Sequence, residues 1–309
     1  MWTEPSRGHG LKLALKIDVD TWRGTRKGVP RLAETLLDRR AGATFLFSLG
    51  PDHTGRALRR IFRPGFFSKV KRTSVVKHYG VKTLLYGTLL PGPDIGRRGA
   101  ARMRAVRDAG FEVGVHCWDH VRWQDNVAGQ EADWTEREMA RAVRRYESIF
   151  QEMPHVWGAA GWQTNRHAAF VEENYFLYAS DTRGTCPFLP LWNGVRIGCP
   201  QLPTTLPTLD ELIGIDGIDE SNVVDFLLEK TSATRKAHVF TAHAELEGGR
   251  FMPAFDRLLS GWKSQGYEIV SLKSLFESLD PAGLPRHEVV YGEVPGRSGT
   301  LALQAKEPA

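Results

Sequence analysis

Four short stretches of this chain concentrate side chains whose types and spacing suit chemistry: KIDVD at 16–20, GVHCWDH at 114–120, SDTRG at 180–184 and TAHAELEG at 241–248. His116 and His120 are four residues apart, about one helical turn, so both imidazoles can reach one ion if a helix begins there. Two histidines that merely share a face are the plain alternative. Asp18 and Asp20 alternate along an apolar run, which places both carboxylates on one face of a strand. Acids at such a strand end are expensive to bury unless they meet a metal, a cation or hydrogen-bond donors, although they also serve as structural caps. His243 closes another apolar run, HVFTAH. One Asp and two His provide three N/O ligands and leave positions open for water and substrate, as a catalytic divalent metal requires.

These groups are far apart in sequence, so the elements that carry them must bring them together. Short apolar runs rich in β-branched and aromatic residues alternate with helical patterns, as βα units and a mainly parallel sheet require. The candidate strands are LKLALKIDV, ATFLFSL, FEVGVH, HVWGAAG, YFLYAS, HVFTAH and YEIVSL. Seven strands with intervening helices predict an α/β fold, a β/α barrel that is distorted or open. In a barrel the C-terminal ends of different strands meet over one mouth, where such enzymes keep their sites.

The clearest helix is WTEREMARAVRRYESIF, with Met139, Val143, Tyr146 and Phe150 as one apolar stripe and Thr135 with Glu138 in capping-box spacing. Two more helices, near 32–40 and 255–265, are followed by Gly42 and Gly266, read as glycine C-caps. The expected catalytic domain spans 1–280, and the Gly-, Pro- and charge-rich stretch 281–309 is expected as a C-terminal tail wrapping over the surface.

With 309 residues, 41% of them hydrophobic, the chain can bury a sizeable core. Cys117, Cys186 and Cys199 form no C-x-x-C pair, which excludes a disulfide scaffold or thiolate zinc site and favours a reducing compartment. The first twenty residues lack the charge-then-apolar order of a signal peptide, and nowhere do roughly 18 apolar residues run together to span a membrane. The net charge is +5, yet residues 56–82 alone carry nine Lys and Arg and no acid. The nine are Arg56, Arg59, Arg60, Arg63, Lys69, Lys71, Arg72, Lys77 and Lys82, interleaved with Ile61, Phe62, Phe66, Phe67, Val70, Leu84, Leu85, Tyr86, Leu89 and Leu90. Such a mixture, an insertion at about 53–93, suits a membrane interface beside anionic headgroups. Nucleic acid and a solvated basic loop are the competing readings; nucleic acid is not expected.

Taken in order, KIDVD, GVHCWDH and TAHAE resemble the polysaccharide deacetylase, or NodB-homology, family of metal-dependent amide hydrolases, over roughly residues 11–280. KIDVD, GVHCWDH, AAGW, SDTRG and TAHAELEG are closer still to one branch, the 4-deoxy-4-formamido-L-arabinose-phosphoundecaprenol deformylases of lipid A modification and polymyxin resistance. The resemblance implies a distorted seven-stranded β/α barrel. It implies Asp20, His116 and His120 as ligands of one divalent ion (Zn, Co, Ni, Mn or Fe), Asp18 as general base and His243 as general acid. It also implies hydrolysis of a formamide on an undecaprenyl-phosphate-linked sugar, at the inner membrane as a peripheral protein, on the cytoplasmic face.

The chain departs from the wider family after the fourth strand, where AAGWQTN replaces an Arg-x-Pro motif. Asp181 and Arg183 are candidates for a replacement charge network, an ordinary loop salt bridge being the alternative. Glu245 and Glu247 are candidates to meet the sugar or the new amine, against solvated loop acids. Two other functions fit part of the pattern: an N-deacetylase of polysaccharide or peptidoglycan, and a non-catalytic membrane-binding protein on a degenerate hydrolase fold.

Overall fold

The computed structural model describes residues 11–57 and 81–307. The strands are β1 (Lys12–Val19), β2 (Thr44–Ser48), β3 (Glu112–Cys117), β4 (Val156–Trp157), β5 (Tyr178–Ala179), β6 (Leu189–Trp192), β7 (Val195–Arg196), β8 (His238–His243), β9 (Glu268–Val270), β10 (Arg286–Glu293) and β11 (Thr300–Gln304). All seven expected strands form and join one parallel sheet, ordered β5-β4-β3-β2-β1-β8, with β9 also on β1. The sheet curls but its edge strands do not pair directly. Instead the extended segment 201–206 runs between them: Leu202 N donates to Ala179 O (2.8 Å) on the β5 side and Thr205 N to Val239 O (3.0 Å) on β8. The predicted distorted barrel is therefore present, closed by an irregular seam.

β1 shows how alternation builds both core and site. Leu13, Leu15, Ile17 and Val19 pack outward with helix residues such as Leu32, Leu36, Phe255 and Leu259. Ala14 points to the other face, joining Leu46, Val156, Tyr178, Val239 and Val270. Period-2 geometry puts Lys16, Asp18 and Asp20 on that inner side, further along the strand. The inside of the curl is thus apolar at its base and charged towards its mouth. Parallel pairing sets Lys16 opposite Thr241 and Asp18 opposite His243.

A second sheet, ordered β11-β10-β6-β7, was not foreseen. Its β10 and β11 come from the stretch read as a surface tail, and β10 runs parallel to β6. Of the three helix-end readings, the Gly266 cap is present and the other two are not. The long helix spans Ala132–Phe150 with Met139, Val143, Tyr146 and Phe150 buried, but it starts before Thr135, so no capping box forms there. Thr135 Oγ1 instead donates to Glu131 O (3.1 Å), and Glu138 pairs with Arg141 (2.8 Å). Gly266 (φ +86°) follows the helix Met252–Ser264 as expected, whereas after Val29–Asp38 the left-handed position belongs to Arg40 (φ +48°) and not to Gly42.

Of the basic segment, Arg59, Arg60, Arg63, Lys69, Lys71, Arg72 and Lys77 with Ile61, Phe62, Phe66, Phe67 and Val70 lie outside the described residues. On its described flank Leu89 is 80% exposed. Among the described residues no helix is long and apolar enough to cross a membrane.

Candidate metal centre and active site

Asp20 leaves the end of β1, His116 lies within β3, and His120 is the first residue of the helix His120–Asn126, whose N-cap is Asp119 (accepting from Arg122 N, 3.1 Å). The two histidines therefore do not share a helical turn, as their spacing suggested; a strand end and a helix start bring them together. Asp20 Oδ1 lies 3.3 Å from His116 Nε2 and Asp20 Oδ2 lies 3.5 Å from His120 Nε2. All three residues offer ligand atoms within 4.8 Å of one another. For ligands about 2.0–2.2 Å from a tetrahedral ion, separations of roughly 3.3–3.6 Å are what geometry demands.

Two further observations fit an ion here. His116 Nδ1 lies 2.6 Å from Gly158 O; a carbonyl only accepts, so Nδ1 carries the proton and Nε2 presents its lone pair to Asp20. Asp20 Oδ1 and His116 Nε2 are buried with no hydrogen-bond partner in the protein, a costly state unless a cation completes it. Burial raises the Asp20 carboxyl's pKa, but the His120 and His116 imidazoles more than offset this and hold it below the ordinary carboxylate value. For His116 burial acts downward and the Asp18 and Asp20 carboxylates prevail, raising it. Cys117, between the two histidines, turns away to Ser48 Oγ (3.3 Å).

Asp18 stands beside this triad, its Oδ1 3.8 Å from His116 Nδ1. On the next strand His243 Nδ1 faces Asp210 Oδ1 across 3.9 Å. Asp210 is held by Arg297, with Nη1 3.2 Å from Oδ2 and Nη2 3.2 Å from Oδ1, and Arg297 Nε also donates to Glu211 Oε1 (2.8 Å). Glu211 belongs to a real capping box with Thr208 on the helix Leu209–Leu212. Burial raises the Glu211 carboxyl's pKa, but Arg297 and Arg183 hold it below the ordinary value.

Asp181 and Arg183 do not form the joint network expected of them. Asp181 is fully buried, accepting from Ala159 N (2.6 Å) and Gln201 Nε2 (3.0 Å), with Glu172 sharing the Gln201 amide. Burial beside Asp181 pushes Glu172 well above the ordinary range. Arg183 points the other way and pairs with Glu211. Glu245 and Glu247 are buried, which removes the solvated-acid reading. Glu245 Oε1 accepts from Thr21 N (2.8 Å) and Oγ1 (2.6 Å), and Glu247 Oε2 from His243 N (2.6 Å). Burial, then Asp20, drives Glu245 well up, and burial takes Glu247 to about 8.

In place of Arg-x-Pro, the segment AAGW turns through two left-handed residues, Gly161 (φ +64°) and Trp162 (φ +53°). A bulky residue rarely adopts that conformation without surroundings that enforce it. The indole stands against His243 at 6.2 Å and carries three cations on its faces: Arg297 at 4.7 Å, Arg183 at 5.1 Å and Lys16 Nζ at 5.5 Å. Sequence reasoning missed Lys16, Asp210 and Arg297. Lys16 was legible as a charge in the inner register of an apolar strand, and TLDE announced the cap beside Asp210. Nothing signalled Arg297.

No family model matches the chain. A Shewanella sediminis protein named as a probable 4-deoxy-4-formamido-L-arabinose-phosphoundecaprenol deformylase, ArnD, is 36% identical over 302 residues, 97% of each chain. The chain belongs to the ArnD-type deformylase family. A second member, from Wigglesworthia glossinidia brevipalpis, is 31% identical over 92% of this chain and 99% of its own. In fold, this ArnD-type chain is similar to a crystal structure described as a polysaccharide deacetylase candidate of Mycobacterium smegmatis, with TM-score 0.62, 16% identity and coverage of 94% and 99%. The ArnD-type assignment thus rests on sequence over almost the full length, and the deacetylase likeness on architecture.

Proposed function

We propose that this amide hydrolase removes the formyl group from 4-deoxy-4-formamido-L-arabinose-phosphoundecaprenol, releasing formate and the free 4-amino sugar lipid. The observation that carries the reading is the Asp20, His116 and His120 triad set beside Asp18 and His243, in a chain 36% identical to a protein named for that reaction. A divalent ion held by Asp20, His116 and His120 would polarise the formyl oxygen and lower the pKa of water. Asp18 takes the proton of the attacking water. His243, across the strand pair, gives a proton to the sugar nitrogen so that an amine and not an amide anion departs. Asp210 steadies His243 on its Nδ1 side. Trp162 and the buried Glu245 line the surroundings and limit water, and Glu245 is the candidate partner for the sugar.

The lipid substrate fits a protein that sits on the membrane without crossing it. The basic and aromatic segment 56–90, with Leu89 exposed on its described flank, supports a peripheral position on the anionic, cytoplasmic face of the inner membrane. The amine so produced would carry positive charge into lipid A and weaken the attraction of polymyxin and other cationic peptides. Incubation of the purified protein with the formamido-sugar lipid and its acetamido analogue, with and without chelator, tests the reaction by mass spectrometry. Chelator-sensitive loss of formyl is expected, and selective loss of acetyl would instead identify a deacetylase. Charge reversal at Arg59, Arg60 and Arg63 is expected to weaken sedimentation with anionic liposomes; unchanged sedimentation would remove the membrane role.

A further inference from the structure

Every described residue of β1 after Lys12 is buried, and one of them is a lysine. Lys16 has no exposed surface, and a lysine in such a place is destabilising unless its charge is matched. Its ammonium donates to Ser180 O (2.7 Å), lies 3.7 Å from Asp18 Oδ2 and rests 5.5 Å from the Trp162 ring centre. Ser180 is itself fixed, its hydroxyl donating to Leu202 O (2.7 Å) in the seam. The lysine stem passes beside Gly158, whose missing Cβ makes room for Leu46 (2.3 Å) and would only touch Lys16 Cε (3.5 Å).

Asp18 is buried as well, and its two oxygens face different groups: Oδ1 towards His116 Nδ1 at 3.8 Å, Oδ2 towards Lys16. His116 already gives its Nδ1 proton to Gly158 O. The lysine is therefore the charged neighbour whose place is set by a separate part of the fold. Strand alternation holds it directly beneath the carboxylate, and the Ser180 carbonyl with the Trp162 face keeps it from swinging aside.

We propose that Lys16 is the positioning cation of Asp18: it matches the buried carboxylate's charge and fixes its plane, so that one oxygen is aimed at the attacking water. The assignment rests on the hydrolase reading for its kinetic consequence, and on the ion pair alone for its thermodynamic one. A displacement of the base by about 1 Å is enough to cost on the order of 100-fold in turnover.

The test compares wild type, Lys16→Met, Asp18→Asn and the double variant. Lys16→Met is expected to bind one divalent ion as wild type does, keep KM for the formamido-sugar lipid, and lose roughly 100-fold in kcat. In chelator-treated protein each single change should lower Tm, and the double variant should lose less than the sum, because neither charge is then left alone. A kcat within threefold of wild type, or additive Tm losses, overturns the pairing. If Lys16→Met does not fold, recovery of folded double variant supports the assignment and continued insolubility overturns it. An inactive wild type in the same assay would overturn the proposed reaction while leaving the Tm cycle to judge the pair.

Discussion

Asp18 and Asp20 are two residues apart, yet the structure gives them different neighbours. Asp20 faces His116 and His120, while Asp18 faces Lys16 and the outer side of His116. Their substitutions should separate accordingly. Asp20→Ala or His116→Ala is expected to lose bound metal and activity together, as measured by metal analysis of the purified protein. Asp18→Asn or His243→Ala should retain the metal and lose about 100- to 10,000-fold in kcat. Metal loss in Asp18→Asn equal to that in Asp20→Ala would make both aspartates ligands and leave the base unassigned. Spacing alone left the histidines of GVHCWDH either as a metal pair or as two that share a face, and the division of labour between the two aspartates came from the resemblance; the fold adds the different neighbours each aspartate meets.

At the level of elements, strands were the legible part because alternation and apolar runs are local. All seven strands of the main sheet were readable for that reason. The strands β6 and β7 were not, since LPLWNGVR is broken by Pro190 and Gly194, whereas the equally brief β4 and β5 lie in longer apolar runs, and RHEVVYGE in β10 was masked by glycine- and proline-rich flanks. Thr135 and Glu138 had capping-box spacing, but a pattern of two residues does not say which turn is first. β8 also carries a prediction of its own. His238 at its start is buried between Thr205 Oγ1 (3.1 Å at Nδ1) and Thr234 Oγ1 (3.0 Å at Nε2). Burial, then Lys236 and Lys230, takes its pKa from the ordinary 6.5 down to about 4. A depressed histidine favours folding above pH 6.5 and loses that contribution as pH falls towards 4, a swing of about 3 kcal/mol. Urea midpoints of His238→Gln should therefore vary less across that window than those of wild type; parallel curves would place the acid sensitivity elsewhere.

For the whole molecule, the second sheet is more than a cover. The β10–β11 hairpin sends Arg297 back across the mouth to Asp210, Glu211 and the Trp162 face, so the histidine side of the site is buttressed from outside the curled sheet. No local pattern could announce this, because its partners are more than eighty residues away. Arg297→Ala is expected to keep the metal and lose about tenfold in kcat, with a drop in Tm from the carboxylates it leaves behind. Arg297→Lys should not retain full turnover either, since a point charge cannot make the two-pronged contact with Asp210. Full activity in Arg297→Ala would reduce the hairpin to a structural role.

The route of the hairpin also sets an order of events during synthesis. Asp18, Asp20, His116 and His120 leave the ribosome early, so a growing chain carries the whole candidate ligand set while much of it is still unmade. The brace on His243 arrives only with residue 297, on the order of tens of seconds after the first aspartates at usual translation speeds. A nascent chain would thus gather its candidate ligands before it gained that brace, and clipping the last hairpin from the finished protein would slow turnover at least as much as Arg297→Ala does.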